Sequence, residues 1–460
     1  MAEEATLTQE AYYHGLLPRE DIKGLVAIPA DFILRRSQPQ PGAPRQVILS
    51  VCTDMADATG GGFVVNHYVI HNANGKFITF IIDRMSFPSI QEMLKHHLTK
   101  GESVTSIGNI VLKSPIGRQP WELLHKDIAT TKKLGEGAFG EVHLGTWTKK
   151  NGDVVKVAIK LAKLESLSKE QIKEIMREVS PSPPPPPLLL PFHARIMRTF
   201  DHPHVVGLHG VAAAEEPLML VMELASHGAL DSYLKKNPVA DHVKGEMCTQ
   251  AAWGLEYLHD KNVIHRDIAA RNCLYGDGRV KISDFGMSRD GPLYQMDPKK
   301  RVPIRWLSPE TMRIQVYNFK TDVWSFGIMC WEIQHNGQEP YPSLSAGEAH
   351  GLVMSGGRME WTTPLHPDIK ALFHLWAENP DDRPSMAECS KSLESLYAIT
   401  RPEFKASREP SSVPSVPSDP SNDPITPPPN TPNKGMPSPP LSFQSQLFRK
   451  ERKSKHRHLD

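Results

Sequence analysis

The chain has 460 residues, room for two or three domains, with a formal net charge of +1 and 41 prolines. Near-neutrality argues against a nucleic-acid-binding protein built on phosphate contacts, and no run of about 18 apolar residues offers a membrane span. Five scattered cysteines (Cys52, Cys248, Cys273, Cys330 and Cys389) without metal-ligand spacing, and a polar start unlike a secretory signal, point to a reducing, cytoplasmic setting.

Residues 12–105 read as a small α+β module. Strands are expected at Phe32–Arg35, Val47–Val51, His67–His71 and Phe77–Ile82, with a turn at Asn74-Gly75 and helices at Arg19–Val26 and Ser89–Leu98. Residues 106–125 form a linker. Residues 126–400 open with a glycine-rich β segment and continue into amphipathic helices, so the chain as a whole is of the α+β class. Over residues 401–460 Pro and Ser dominate, and the tail cannot bury enough apolar surface to offset its ordering entropy. We expect it to be disordered, with a basic end, Arg449–Arg457, that suits a solvated tail or a peripheral membrane contact.

Leu134-Gly135-Glu136-Gly137-Ala138-Phe139-Gly140-Glu141-Val142 has three glycines spaced so that a β-turn can lie close over phosphates. Alone it is no more than a glycine turn. Val157-Ala158-Ile159-Lys160 follows on a second strand, however, and Lys160 there can hold phosphate oxygens as a point charge.

The most specific stretch is His265-Arg266-Asp267-Ile268-Ala269-Ala270-Arg271-Asn272, followed by Ser283-Asp284-Phe285-Gly286. Asp267 suits the base that accepts a substrate hydroxyl proton; Asn272 and Asp284 supply oxygens for Mg²⁺, whose other ligands are nucleotide phosphates and water. Taken singly, Asp267 could be a turn residue and Asn272 a helix cap. In this order and spacing, chance is implausible.

These motifs resemble the protein-kinase family over residues 127–396, which implies a bilobal fold using ATP and Mg²⁺. Ala269-Ala270-Arg271 and Pro303-Ile304-Arg305-Trp306 resemble the tyrosine-specific version, a non-specific protein-tyrosine kinase acting on protein tyrosine substrates. There Arg271 would assist Asp267 and Pro303 would pack against the substrate ring. The resemblance makes Met222 the gatekeeper, puts the Glu223 and Ala225 backbones against adenine, pairs Glu310 with Arg383, and anchors the catalytic loop on Asp322. It also makes Tyr294 an activation-segment tyrosine whose phosphate would pair with Arg266.

Tyr12-Tyr13-His14-Gly15 and Asp31-Phe32-Ile33-Leu34-Arg35-Arg36-Ser37 resemble a Src-homology-2 domain. Arg35 would fork onto a phosphate, with Arg19, Ser37 and His67 in support, so phosphotyrosine-containing proteins are the implied partners. The tandem looks most like the Fes/Fer group of non-receptor kinases. A rival reading is a phosphotyrosine-binding adaptor with an inactive kinase fold; the presence of Lys160, Asp267, Asn272 and Asp284 favours the enzyme.

Residues 179–193, Val-Ser-Pro-Ser-Pro-Pro-Pro-Pro-Pro-Leu-Leu-Leu-Pro-Phe-His, interrupt a helix expected over Lys169–Glu178, because proline cannot continue it. Without them, Ala194 and Met197 join Ile172, Ile175 and Met176 at helical spacing. The joined helix resembles the one carrying the glutamate partner of Lys160, which would be Glu178. The insertion reads as retained non-coding sequence, an isoform, or a tolerated surface loop.

Overall fold

The structure, a computed structural model, describes residues 6–22, 24–26, 28–37, 44–56, 63–73, 76–79, 86–105, 109–137, 140–162, 197–296, 302–360 and 374–404. Glu178, the insertion 179–193, Ala138, Phe139, the Asn74-Gly75 turn and the tail from 405 onward, including Arg449–Arg457, lie outside the described residues.

The N-terminal module opens with a single helical turn, α1 (Arg19–Ile22), shorter than the helix expected from the pattern. Strands β1 (Asp31–Ser37), β2 (Gln46–Ala56), β3 (Phe63–Ala73) and β4 (Lys76–Thr79) follow, then α2 (Ile90–Lys100) and a short β5 (Ser114–Pro115). The sheet order is β4-β3-β2-β1-β5. Side chains alternate across β1, as pleated backbone requires. Phe32 and Leu34 pack with Ile90, Met93 and Leu94 of α2, while Ile33 joins Leu16, Leu17, Ile22 and Val26. That alternation also sends Arg35 to the Ile33 face. Ser89 caps α2 by accepting from the Glu92 N–H, and Gly101 closes it in the left-handed region.

The second sheet comprises β6 (Ile128–Gly137), β7 (Gly140–Thr148), β8 (Val154–Ala162), β9 (Leu208–Ala212) and β10 (Leu218–Glu223), in the order β6-β7-β8-β10-β9. Helical structure then takes over: α3 (Leu230–Lys236), α4 (Asp241–Asp260), α5 (Pro309–Ile314), α6 (Phe319–Gln334), α7 (Ala346–Met354) and α8 (Met386–Tyr397). Between α4 and α5 lie short strands β11 (Val263–Ile264), β12 (Cys273–Gly276) and β13 (Arg279–Ile282). Every residue of α6 from Thr321 to Gln334 is buried, which is why that helix reads as apolar on all faces. Its start is fixed by a capping box: the Asn318 side chain accepts from the Thr321 N–H, and Thr321 Oγ1 accepts from the Asn318 N–H. Arg383, buried, forks onto Glu310 at 2.7 and 2.8 Å, tying α5 to the segment before α8.

The two domains meet along a built seam. Gly15 sits at φ +57°, and a Cβ there would lie 2.0 Å from the Ala213 carbonyl oxygen, so only glycine fits. The next residue, Leu16, donates its N–H to that same oxygen at 3.1 Å. His14 is held at both ring nitrogens, Nδ1 2.9 Å from Glu122 and Nε2 2.9 Å from the Ile116 carbonyl. Arg118 donates to the Tyr13 and Thr8 carbonyls.

The described residues include Arg401–Phe404, the first four of the region read as tail. Arg401 pairs with Glu256 of α4 and Glu394 of α8, and the Phe404 ring lies 4.8 Å from His202. Composition marks where a chain stops resembling a domain; it does not register two side chains that find partners.

Candidate functional site

The glycine-rich hairpin is β6–β7, with Gly137 paired to Gly140 across its tip. A Cβ on Gly140 would meet the Leu161 carbonyl at 2.0 Å, so the hairpin can lie this close to β8 only with glycine there. Register places Val142 opposite Lys160 and Leu144 opposite Ala158. On the other side of β8, Leu220 faces Lys160 and Met222 faces Ala158. Leu134, Gly135, Val142, Ala158, Lys160 and Met222 therefore gather on four adjacent strands, β6, β7, β8 and β10. Glu223 donates its N–H to Gly207 at 2.8 Å, so what its backbone can offer a purine is the carbonyl oxygen. Its carboxylate pairs with Lys281 at 2.8 Å, joining the strand end to β13. Ala225 follows, buried, at the lobe junction.

The loop His265–Asn272 is suspended from α6. Asp322 accepts from the backbone N–H of His265 (2.7 Å) and of Arg266 (2.8 Å), with His259 at 3.2 Å. Arg266 adopts φ +73°, a conformation costing on the order of 1 kcal/mol for a non-glycine residue, and the Asp322 bonds hold it there. Arg271 then reaches Asp267 Oδ1 at 2.6 Å, and Asn272 Nδ2 donates to the Asp267 carbonyl at 2.7 Å. The Arg271 guanidinium lies 4.0 Å over the Trp306 ring. Trp306 closes the turn that starts at Pro303.

Asp284 follows at φ +59°, exposed, while Phe285 is buried between His265 (5.3 Å) and Phe200 (5.2 Å). Ser283 donates both N–H and Oγ–H to the Asn272 carbonyl, at 2.9 and 2.7 Å, which brings Asn272 and Asp284 into one constellation. Because Asn272 Nδ2 is engaged, its Oδ1 is the atom left to face a cation. One amide oxygen and one exposed carboxylate suit Mg²⁺, which retains water and phosphate ligands. Downstream, Arg266 stacks on Tyr294 (3.9 Å) and Tyr317 (4.6 Å), and Arg289 lies 5.3 Å from the Tyr294 ring. Burial holds the Arg266 guanidinium below its usual range, and Arg289 adds to that.

In the N-terminal module Arg35 is 4% exposed and donates Nε to Ser50 Oγ at 3.3 Å. His67 Nδ1 is 2.9 Å from the same oxygen. Ser37 lies two residues along the same strand face, and Arg19 stands exposed on α1. Sequence reasoning missed Ser50, whose only signal is its place opposite Ile33 and His67. It also missed Glu332, an acid inside the otherwise apolar α6. Glu332 accepts from the Ala270 N–H and from Trp306 Nε1, each at 3.0 Å, and burial pushes its carboxyl up to about 7.

Residues 128–393 match the protein tyrosine and serine/threonine kinase model, and residues 12–97 match the SH2 domain model. The chain belongs to the protein-kinase family. Its relatives narrow the group. It is 36% identical to "Fer-related kinase 1" of Caenorhabditis elegans over 390 residues, 84% of this chain and 93% of that protein. It is 34% identical to "Tyrosine-protein kinase Fer" of Homo sapiens over 399 residues, 85% of this chain and 44% of the relative. The transforming protein Fps of Avian sarcoma virus (strain PRCII) is 33% identical over 397 residues, 84% of this chain and 68% of the relative. An SH2 domain ahead of a kinase domain, with these relatives, places the chain among Fes/Fer-like non-receptor protein-tyrosine kinases. The chain thus spans most of the worm relative and less than half of human Fer. Among the described residues no helix is long and apolar enough to cross a membrane.

Proposed function

We propose that this chain is an active enzyme that transfers the γ-phosphoryl group of ATP to tyrosine hydroxyls of proteins selected through their phosphotyrosine. The observation that carries the reading is Arg271 bonded to Asp267 while stacked on Trp306. A phenol entering beside Asp267 meets a carboxylate to take its proton and a guanidinium to stabilise the developing phenolate. Lys160 holds nucleotide phosphates, and Asn272 with Asp284 would hold Mg²⁺, which neutralises phosphate charge when bound. Gly135, Glu136, Gly137, Ala138, Phe139 and Gly140 cover the phosphates, and Pro303 receives the substrate ring.

In the SH2 domain Arg35 forks onto the phosphate, with Arg19, Ser37 and His67 in support. A cytoplasmic location suits the five buried thiols, none of them in a disulfide. The basic run 449–457 adds weak attraction to anionic lipid.

One sequence feature favours the adaptor reading. The insertion 179–193 interrupts the helix that would carry Glu178, the partner assigned to Lys160. Phosphotyrosine formation by the chain with and without residues 179–193 separates the two. The enzyme reading predicts activity that rises on deletion. No phosphotyrosine from either form would leave the adaptor.

A further inference from the structure

Glu332 is 3% exposed on α6. Its Oε2 receives two donors from two different functional segments. The Ala270 N–H, 3.0 Å away, belongs to the loop between Asp267 and Asn272. Trp306 Nε1, also 3.0 Å away, belongs to the turn that begins at Pro303. The Trp306 ring is the platform for Arg271, at 4.0 Å, and Arg271 reaches Asp267 at 2.6 Å. Arg271 Nη1 makes no hydrogen bond among the described residues, so its N–H groups are left without a protein acceptor.

We propose that Glu332 is a positioning residue for tyrosine transfer, fixing Trp306 against the catalytic loop so that Arg271 is aimed at Asp267 and the phenol oxygen. The inference rests on the tyrosine-kinase reading of the site. A carboxylate suits the task because it only accepts, and one oxygen can serve two N–H donors that burial would otherwise strand. The charges around it come from three directions. Arg271 favours the ionised form, Asp231 of α3 opposes it, and buried Cys273 of β12 lies within its field. Burial dominates and brings the carboxyl to about 7, so the two hydrogen bonds weaken as pH falls through neutrality.

Two measurements on the full chain test this. In steady-state assays with a tyrosine peptide, Glu332→Gln lowers peptide kcat/KM about ten-fold, leaves the KM for ATP unchanged, and removes the wild type's rise in kcat near pH 7. Glu332→Asp recovers the pH dependence. An unchanged peptide kcat/KM, or an equal rise in the KM for ATP, overturns the proposal. Independently of activity, the Trp306 indole N–H resonance in ¹⁵N-tryptophan-labelled protein, assigned with Trp306→Phe, titrates near pH 7 in the wild type and is flat in Glu332→Gln. A Trp306 indole resonance that Glu332→Gln leaves unshifted at every pH refutes the contact even if the chain proves inactive as a kinase; loss of activity with that shift intact refutes only the kinase reading.

Discussion

Arg271 and Asp267, four residues apart, are joined at 2.6 Å although the segment is not an α-helix, and the guanidinium lies 4.0 Å over the Trp306 ring. An exposed ion pair at this spacing contributes little. Here the stack and the buried Glu332 behind it give the pair one geometry. Arg271→Lys keeps the charge but loses the planar stack on Trp306. We expect kcat for a tyrosine peptide to fall by about 10-fold or more with the KM for ATP unchanged; steady-state kinetics on purified protein checks this, and wild-type kcat would refute it.

In the SH2 domain, Arg35 leans on Ser50, which also touches His67. Arg35→Lys should abolish phosphotyrosine-peptide binding, since an ammonium cannot make two parallel bonds to a phosphate. Ser50→Ala should weaken it by about five-fold, the scale of one neutral hydrogen bond. Calorimetric titration with phosphorylated and unphosphorylated forms of one peptide measures both. Equal wild-type affinity for the two forms would end the assignment.

Unphosphorylated Tyr294 lies face-on to Arg266, with Arg289 near its ring. A phosphate there carries about two negative charges and would exchange stacking for ion pairs with both arginines. Tyr294 should appear among autophosphorylation sites mapped by mass spectrometry, and Tyr294→Phe should lower activity several-fold. A fully active Tyr294→Phe would remove the switch.

Residues 399–404 lie across a cavity of about 1170 Å³ bordered by the 200–205 loop, α4 and β13. Phe404 meets His202 and His204 there, and burial pushes those rings down to about 3 and about 4. Neighbouring Lys281, Arg279 and Arg401 push the same way, while Asp201 and the Val280 carbonyl oppose. Both folded values lie below the unfolded 6.5, so below that pH the unfolded chain binds more protons and stability is lost as pH falls towards 4. Phe404→Ala should cost about 1–2 kcal/mol at pH 7 and shrink the drop in Tm between pH 7 and pH 5, because it exposes both rings. An identical drop in the two proteins would show that the contact is not made.

The kinase motifs were legible because their residue types and order are dictated by phosphate, metal and proton chemistry. The strand carrying Arg35 was legible as a short apolar run and from its resemblance to the Src-homology-2 family. Ser50 was not, since a serine in a strand has many ordinary explanations. Glu332 stood in plain view as an acid among Trp331, Ile333 and Cys330, yet its two donors come from residues 62 and 26 positions earlier, which no local pattern reveals. The helix at Arg19 is a single turn, and its Ile22 packs with Ile33 of β1. Phe404 looked like tail because a single aromatic ring leaves no periodicity.

The most direct test of the account is phosphoamino-acid analysis after incubation of the purified chain with labelled Mg·ATP and a protein substrate, beside Asp267→Asn. The account predicts phosphotyrosine as the main product, and a loss of about 10²-fold or more in the variant. Phosphoserine as the main product, or undiminished phosphotyrosine from Asp267→Asn, would contradict it.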